Sequence, residues 1–345
     1  MQAAGMQTRE DAAFNLLGVY PTAKRKAKTL LIGSHLDTVH DAGRYDGPLG
    51  VLLGVACVER IKELSLPLPF NLEVAGFSDE EGVRYQTTYL GSRAMAGTLR
   101  SHDLERVEEK GIAKAQRKAT DFLGYLEAHI EQGPVLEARN LSVGVVSSIA
   151  GQTRIRVQWN GKAGHAGTTP MDLRQDALCG ASELVLAAEK CGVTATVGCL
   201  AVSPGASNVI PGSVEMTLDI RHAKDALRKK ACATLKTYAA QIAKRRNLKL
   251  GWTVIQETAA VQCDAQWTKA LVHSTQRFER DATNLPSGAG HDAAAISTLC
   301  PVAMLFVRCK GGISHHPAES VTMQDVARAV EVMVDFILSL ATRHA

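Results

Sequence analysis

Two features of the sequence predict an α/β fold with a smaller, mainly antiparallel α+β domain inserted in it. In the flanking parts, buried-strand patterns alternate with helices and end in polar residues, whereas from about Gly151 the strands alternate apolar and polar residues. The chain has 345 residues, enough for two domains, since a single core stops growing near about 250–300 residues. We predict one domain from residues 1–150 and 261–345, and an inserted domain from residues 151–260.

The predicted larger domain begins with a strand, a helix and two further strands. The run TLLIGSHLDTV at 29–39 is apolar and then polar, which is typical of a buried strand whose C-terminal end carries functional side chains. Residues 48–64 have apolar residues at helical spacing, and strand patterns recur at 70–82 and 125–133. Because α/β proteins bind ligands at the carboxyl ends of their strands, the polar residues after these strands are candidates for a site.

The predicted inserted domain has the element order of a ferredoxin-like fold, β-α-β-β-α-β. Its first strand, QTRIRVQWNG, alternates apolar and polar residues, as a strand with one exposed face does. The elements that follow are a helix at 174–190, strands at 193–202 and 213–222, a helix at 224–246 and a strand at 248–258. After this domain the sequence predicts a helix at 266–281, a buried strand at 301–309 and a final helix at 323–344.

The composition argues against several classes of protein. The net charge is only +4, and the densest basic stretches, 24–28 and 244–246, are too short to indicate a nucleic-acid surface. We find no apolar run of about 18 residues and no signal-peptide pattern, so we expect neither membrane association nor export. The eight cysteines form no C-x-x-C pair, and most lie in apolar surroundings. This usage indicates reduced thiols in a cytoplasmic protein.

Five residues at strand ends or in the following loops have side chains of the kind that bind Zn²⁺, Mn²⁺ or similar ions. These candidate ligands are His35, Asp46, Glu81, His129 and His315. Each also has an ordinary structural explanation: a lone histidine is more often a hydrogen-bonded side chain, Asp-Gly is a turn sequence, and adjacent glutamates are compatible with a solvated pair. Their joint position favours a metal site, because strand ends far apart in sequence converge in an α/β sheet.

Eight motifs resemble, in their order, those of the M20-type amidohydrolases, the family of allantoate amidohydrolase, N-carbamoyl-L-amino acid hydrolase and β-ureidopropionase. The motifs are GSHLDTV, GRYDGPLGVL, FSDEEGVRYQTTYLGSR, YLEAHIEQGPVLE, GKAGHAGTTPM, SNVIPG, SGAGHDA and GGISHHPAE. The resemblance covers about residues 11 to 340. It implies a peptidase-like catalytic domain with two metal ions and an inserted dimerisation or lid domain.

The resemblance also implies how the candidate ligands divide between two divalent ions, Zn²⁺ or Mn²⁺. Asp46 bridges both ions, His35 and His129 bind one of them, and Glu81 and His315 bind the other. In the peptidase relatives the ligand that matches His129 is acidic, and a histidine there resembles the branch that cleaves ureido bonds.

Two further residues of this domain receive roles from the resemblance. Glu80 resembles the general base that takes a proton from the metal-bridging water and passes it to the leaving nitrogen. Asp37 resembles the carboxylate that orients a ligand imidazole.

A second set of residues is implied to contact the substrate. His165 resembles the histidine that reaches the partner subunit's site in a homodimer and stabilises the oxyanion. Asn208 and Arg221 resemble the pair that grips the substrate carboxylate, for which a guanidinium gives a bidentate match. Gln132 resembles a donor to the ureido group. Without the motifs, His165 is an ordinary loop histidine and Arg221 a surface charge.

Three points differ from the family pattern or leave alternatives. His316 stands where relatives carry Asn or Ser, so either imidazole of the pair is a candidate ligand, with His315 favoured. His291 is interpreted as supporting structure. The family carries an additional helical segment ahead of the GSHLDTV strand, and this chain starts inside that region, so we expect incomplete outer packing if the segment is truly missing.

The motifs DEEGVRYQTTYLGSR and MLFVRCKGGISHHPAE resemble most those of allantoate amidohydrolases. The expected reaction converts allantoate and water to ureidoglycine or ureidoglycolate, ammonia and CO₂. The alternatives are an N-carbamoyl-L-amino acid hydrolase or β-ureidopropionase, which share the same catalytic residues, and a catalytically impaired binding protein of the same fold. The intact ligand set argues against the last.

Overall fold

The computed structural model describes residues 1–24, 26–100, 103, 105, 111–279 and 281–344. The chain divides into two compact units. The larger unit comprises Met1–Ile149 and Gln262–Ala345, and the smaller unit comprises Ala150–Val261. Across the described residues, no helix has the length and apolar composition required to cross a membrane.

The larger unit contains a mixed sheet with helices packed on it. Its strands are β1 (Gln7–Glu10), β2 (Leu16–Tyr20), β3 (Thr29–His35), β4 (Asn71–Phe77), β5 (Phe122–Ile130), β6 (Val143–Ile149), β14 (Asn284–Ser287) and β15 (Val302–Val307), and β13 (Val261–Gln262) begins with the last residue of the smaller unit. Its helices are α1 (Pro48–Glu63), α2 (Leu90–Ala96), α3 (Val135–Ala138), α6 (Ala265–Gln276), α7 (Asp292–Ile296) and α8 (Met323–His344).

The centre of this sheet is parallel. The strand order is β1-β2-β4-β3-β5-β15-β6-β13, and β14 pairs with β6. Strand β3 pairs in parallel with both β4 and β5, and β15 pairs in parallel with β5. The carboxyl ends of β3, β4, β5 and β15 therefore lie along one edge of the sheet.

The core of the larger unit explains why its central strands are mostly apolar. Every residue of β3 is buried, as expected for a strand covered on both faces. Helix α1 starts with Pro48 at a position where a missing backbone N–H costs nothing. Helix α8 places residues such as Val332 and Phe336 at helical spacing against the core.

The smaller unit has a four-stranded antiparallel sheet with two helices. Its elements are β7 (Gly151–Asn160), β8 (Gly164–His165), α4 (Ala177–Glu189), β9 (Thr194–Ser203), β10 (Val209–Ile210), β11 (Ser213–His222), α5 (Asp225–Arg245) and β12 (Lys249–Thr258). The strand order is β12-β7-β11-β9, with each neighbouring pair antiparallel. Along β7 the side chains of Ile155, Val157 and Trp159 are buried, and those between them are exposed.

The predicted α/β class, with a ferredoxin-like element order in the middle of the chain, is confirmed. The helix expected at 266–281 ends earlier, at Gln276, because the chain turns at Arg277 and Phe278. All eight cysteines are free thiols.

Candidate metal centre

The candidate ligands lie where the parallel strands end. His35 is the last residue of β3, His129 is next to last in β5, and Glu81 lies in the loop after β4. Asp46 lies between β3 and α1, and His315 lies in the loop between β15 and α8. The parallel pairing brings these side chains together from positions up to 280 residues apart.

These five side chains form two groups that share Asp46. In each group, one ligand atom from every member lies within 4.8 Å of the others. In the first group, His129 Nε2 lies 3.3 Å from His35 Nε2 and 3.1 Å from Asp46 Oδ1. In the second, His315 Nε2 lies 3.0 Å from Asp46 Oδ2 and 3.2 Å from Glu81 Oε1. One carboxylate therefore presents an oxygen to each group.

The hydrogen bonds of the two buried imidazoles leave both Nε2 atoms available to bind a cation. His35 Nδ1 lies 2.9 Å from the carbonyl oxygen of Asp37, and His129 Nδ1 lies 2.9 Å from the carbonyl oxygen of Ile130. A carbonyl only accepts, so each Nδ1 carries a hydrogen and each Nε2 of a neutral ring offers a lone pair. Two lone pairs that face each other beside a carboxylate repel unless a cation or a proton lies between them. This donor set fits a divalent metal ion.

Backbone strain accompanies the site. Asp79, Gln132 and His315 have positive φ angles of 47°, 55° and 55°, in loops that follow β4, β5 and β15. Residues other than glycine are uncommon there, and such strain clusters at functional sites. Gly47 has φ +84°, and a Cβ at that position would lie 2.3 Å from His35 Nδ1. Only glycine allows Asp46 and His35 to approach as they do.

Asp37 was expected to orient the imidazole of His35 through its carboxylate, and the structure shows a different contact. Its backbone carbonyl, and not its carboxylate, accepts the hydrogen bond from His35. The carboxylate lies 4.0 Å from His35 Nδ1 and accepts the backbone N–H groups of Glu80 and Glu81, at 3.0 and 3.1 Å. The sequence could not show whether the backbone carbonyl or the carboxylate of Asp37 contacts His35, because both belong to the same residue. Asp37 thus fixes the loop that carries both glutamates.

The charges in the centre depend on one another. Burial acts to raise the pKa of Asp46, but contact with His129 and His35 lowers that pKa below its ordinary value. Burial acts to lower the pKa of His129, but Asp46 raises it overall. Burial raises the pKa of Glu80 well above its ordinary value, and the carboxylates of Asp292 and Glu81 act in the same direction. Burial and the neighbouring charges thus act together on the pKa of each of these groups.

Two polar side chains, Gln132 and Ser314, contact the carboxylate of Asp46 besides the histidines. Gln132 Nε2 donates to Asp46 Oδ2 at 3.0 Å and to Ser314 Oγ at 2.9 Å. Ser314 Oγ also donates to Asp46 Oδ2, at 3.0 Å. Ser314 was not among the predicted site residues, although it precedes His315 in the GGISHHPAE motif. Gln132, expected to contact substrate, thus lies beside the shared carboxylate.

The neighbouring histidines have other surroundings. His316 is exposed, and its Nδ1 accepts the backbone N–H of Ala318 at 3.1 Å. His291 is buried, lies 2.8 Å from Ser287 Oγ through Nε2, and packs edge-on against His129 with ring centroids 4.5 Å apart. Of the pair at 315 and 316, the structure brings His315 to Asp46 and Glu81.

In the smaller unit, His165 and Asn208 lie together. Strands β8 and β10 pair His165 with Val209, and the carbonyl of Asn208 accepts the N–H of Ala166 at 2.9 Å. His165 is exposed, and its Nδ1 accepts the backbone N–H groups of Gly167 and Thr168 at 3.1 and 3.3 Å. The hydrogen of the neutral ring is therefore on Nε2, which is a donor.

Arg221 lies near the end of β11 and is held by a carboxylate. Its Nε and Nη2 donate to the two oxygens of Asp219, each at 3.0 Å. Gln152 Nε2 and Arg154 Nε also donate to Asp219 Oδ2, at 2.7 and 3.3 Å. Burial acts to raise the pKa of Asp219, but the contact with Arg221 lowers it overall. Arg221 and Arg154 line a cavity of about 440 Å³.

The structure separates Arg221 from Asn208. Strands β7 and β11 pair Asn160 with Ser213, and the same two chain segments pair again where β8 and β10 bring Gly164 to Ile210. At about 3.3 Å per residue, the eight steps along β11 from Ser213 to Arg221 span about 26 Å, and Asn208 lies before Ser213 in the chain. The structure thus places Arg221 and Asn208 toward opposite ends of these paired segments.

Several known proteins are similar to this chain in sequence. The family model described as Peptidase family M20/M25/M40 matches residues 31–339. An N-carbamoyl-L-amino acid amidohydrolase of Geobacillus stearothermophilus is 40% identical over 362 residues, which cover 99% of this chain and 88% of that protein. An allantoate deiminase of Arabidopsis thaliana is 38% identical, with 98% of this chain and 74% of that protein covered.

A solved structure agrees with the sequence comparisons. A hydantoinase/carbamoylase family amidase from Burkholderia multivorans has a TM-score of 0.92 and 32% sequence identity, covering 99% of this chain and 87% of that one. Its fold matches nearly the whole chain, including the segment 150–261. With a family model over most of the chain and relatives near 40% identity, the chain belongs to peptidase family M20/M25/M40.

Proposed function

We propose that this protein is a metal-dependent amidohydrolase that cleaves a ureido C–N bond of a small carboxylate, with allantoate as the main candidate substrate. The observation that carries the proposal is the pair of ligand groups that share Asp46 at the carboxyl edge of the sheet. Named relatives that act on allantoate or N-carbamoyl-L-amino acids support the substrate class.

We propose that two divalent ions, Zn²⁺ or Mn²⁺, are held by the two groups. His35, His129 and one oxygen of Asp46 would hold the first, and Glu81, His315 and the other oxygen of Asp46 the second. Bound ions of this kind supply Lewis acidity and make a water molecule more acidic. The orientation of both buried imidazoles by backbone carbonyls supports this assignment.

The chain's own residues would move the proton. Glu80 would accept a proton from the attacking water and return it to the leaving nitrogen as the C–N bond breaks. Its burial next to Glu81, in the loop whose backbone N–H groups are held by Asp37, supports this role. Hydrolysis of one ureido group consumes one water and gives an amine, ammonia and CO₂.

Substrate binding would use the smaller unit. Arg221, with its guanidinium fixed by Asp219, would bind the substrate carboxylate beside the cavity. His165 would stabilise the oxyanion, and its Nε2 hydrogen suits that donor role. Asn208 would act beside His165. Gln132 would donate to the ureido group, in exchange for its present contact with Asp46.

We also propose a homodimer in which His165 and Asn208 serve a metal centre of the other copy. The positions of Asn208 and Arg221 toward opposite ends of the paired strands support this, since β11 alone extends about 26 Å from Ser213 to Arg221. The edge strand β9 supports it as well. Its ten residues, TATVGCLAVS, contain no charge and are largely exposed, whereas isolated proteins usually protect such edges.

The test of function is release of ammonia from defined substrates. Purified protein loaded with Mn²⁺ or Zn²⁺ is incubated with allantoate, N-carbamoyl-L-amino acids and N-carbamoyl-β-alanine, and ammonia and metal content are measured. We expect allantoate to be hydrolysed fastest, and chelation to abolish the reaction. Faster hydrolysis of an N-carbamoyl-L-amino acid would favour the carbamoylase alternative. Binding of these compounds without hydrolysis would favour an impaired binding protein of the same fold.

A cytoplasmic location stays a prediction from cysteine usage.

A further inference from the structure

Glu319 connects the two loops that approach the metal centre from opposite ends of the chain. It lies four residues after His315, and its side chain is buried, with 5% exposure for the residue. Its Oε1 accepts the backbone N–H of Tyr45 at 2.8 Å and that of Asp46 at 3.0 Å. One carboxylate oxygen therefore joins segments more than 270 residues apart in sequence.

The loop around Asp46 is shaped to receive this carboxylate. A Cβ at Gly43 would lie 2.4 Å from Glu319 Cβ, Cδ and Oε1, so a larger residue at 43 would displace the side chain. Neither loop has a regular ladder of backbone hydrogen bonds at these positions. The two bonds to Oε1 thus fix the backbone of Asp46 relative to the loop of His315.

We propose that Glu319 is a positioning residue of the metal centre, which sets the distance between Asp46 and His315 by accepting the N–H groups of Tyr45 and Asp46. The proposal rests on the proposed function in that Asp46 and His315 are ligands. Partners that orient ligands typically change metal affinity by about 10- to 100-fold when removed. Glu319 would act on affinity through backbone geometry, without touching the ion.

Only one oxygen of Glu319 carries this role. Its Oε2 is buried and has no hydrogen-bond partner among the residues that the structure describes. A glutamine can place its carbonyl oxygen where Oε1 lies and keep both bonds. An alanine removes them and leaves two buried N–H groups without an acceptor. The two variants therefore separate the acceptor from the charge.

The experiment compares Glu319→Ala, Glu319→Gln and wild type in metal-binding competition against a chromogenic chelator, with Mn²⁺ and Zn²⁺ as the probes. We expect metal affinity to fall about 10- to 100-fold in Glu319→Ala, and most of it to be regained in Glu319→Gln. Equal loss in both variants would overturn the acceptor role. Unchanged affinity in Glu319→Ala would overturn the proposal altogether.

A matched control separates positioning from general stability. Glu131 is also a buried glutamate of the larger unit, and its two oxygens accept the N–H groups of Val135 and Leu136 at 2.8 and 2.9 Å. Glu131→Ala should lower the melting temperature comparably and leave metal affinity unchanged. If both alanine variants lose affinity in proportion to their stability, Glu319 has no specific role.

A third variant covers the case in which Glu319→Ala does not fold. Gly43→Ala keeps the carboxylate but crowds its position, so it should also weaken metal binding. Normal metal affinity in Gly43→Ala would contradict the proposal. The proposed function fails on separate grounds, namely if wild-type protein binds no divalent ion or hydrolyses no ureido compound.

Discussion

Two adjacent glutamates after β4 have different surroundings, which predict different effects of the same substitution. Glu80 is buried near Asp292, whereas Glu81 Oε1 lies 3.2 Å from His315 Nε2. Glu80→Gln should lower kcat by roughly 10²- to 10⁴-fold with normal metal content, because it removes a proton acceptor. Glu81→Gln should lower metal occupancy as well. Elemental analysis and kinetics check both, and exchanged effects would reverse the assignment of base and ligand.

The second prediction at the residue scale concerns Arg221. Arg221→Lys keeps the charge but cannot make the paired contact with Asp219, so KM for a carboxylate substrate should rise by roughly 10- to 100-fold while kcat changes little. Arg156→Lys is the matched control, because Arg156 is an exposed arginine of the same sheet that pairs with Glu215. An equal loss on a ureido compound without a carboxylate would show that Arg221 supports the fold instead.

The residues of the candidate site were easier to predict than the contacts between them. The sequence indicated the types and approximate positions of the candidate ligands, because metal chemistry restricts ligands to a few side chains. It could not indicate that the backbone of Asp37 contacts His35 while its carboxylate holds the loop of Glu80 and Glu81. Such contacts depend on loop conformations with positive φ angles, which only the folded chain reveals.

At the scale of elements, the turn before α1 requires glycine at position 47. Gly47→Ala would combine a positive φ with a methyl group 2.3 Å from His35 Nδ1. We expect weaker binding of divalent ions and a stability loss of about 1–3 kcal/mol. Gly192→Ala is the control, since Gly192 has φ +78° and no atom within 4 Å of an added Cβ. Gly192→Ala should lose stability but keep its metal affinity. Chelator competition measures the affinity and thermal unfolding measures the stability of both variants. Equal metal affinity in both would show that His35 tolerates the displacement.

The main elements could be predicted because their hydrophobic periods are clear. Strand β7 alternates along its length, β3 is wholly buried around its apolar residues 30–32, and the final helix matches the expected range 323–344. The short strands β8 and β10 gave no such signal, since two residues are too few to show a period. Their pairing nevertheless carries His165 and Asn208 away from Arg221.

At the scale of the molecule, the topology of the sheet explains why the candidate ligands converge. Three of their loops follow parallel strands, and the order β4-β3-β5-β15 places those strand ends side by side. The sequence predicted this convergence from the α/β class alone. It could not predict the separation of Asn208 from Arg221, because that distance depends on how the register of β7 and β11 continues into β8 and β10.

That separation makes the shared site testable by mixing two inactive variants. Glu80→Ala removes the proposed base and His165→Ala removes the proposed oxyanion donor, so each homodimer should be nearly inactive. In a hybrid dimer, one of the two sites combines an intact Glu80 from one copy with an intact His165 from the other. Random reassortment of equal amounts makes about half of the dimers hybrids, each with one working site, so about a quarter of wild-type activity should return.

The mixing result depends on demonstrated exchange of subunits, which differently tagged copies and co-purification would measure in the same samples. Wild-type protein mixed with each variant is the control for the effect of exchange itself. If the tags exchange and activity does not return, then His165 acts within its own chain or has no catalytic role. In that case the exposed, uncharged edge of β9 would need another explanation, because a dimer would no longer be required to complete the site.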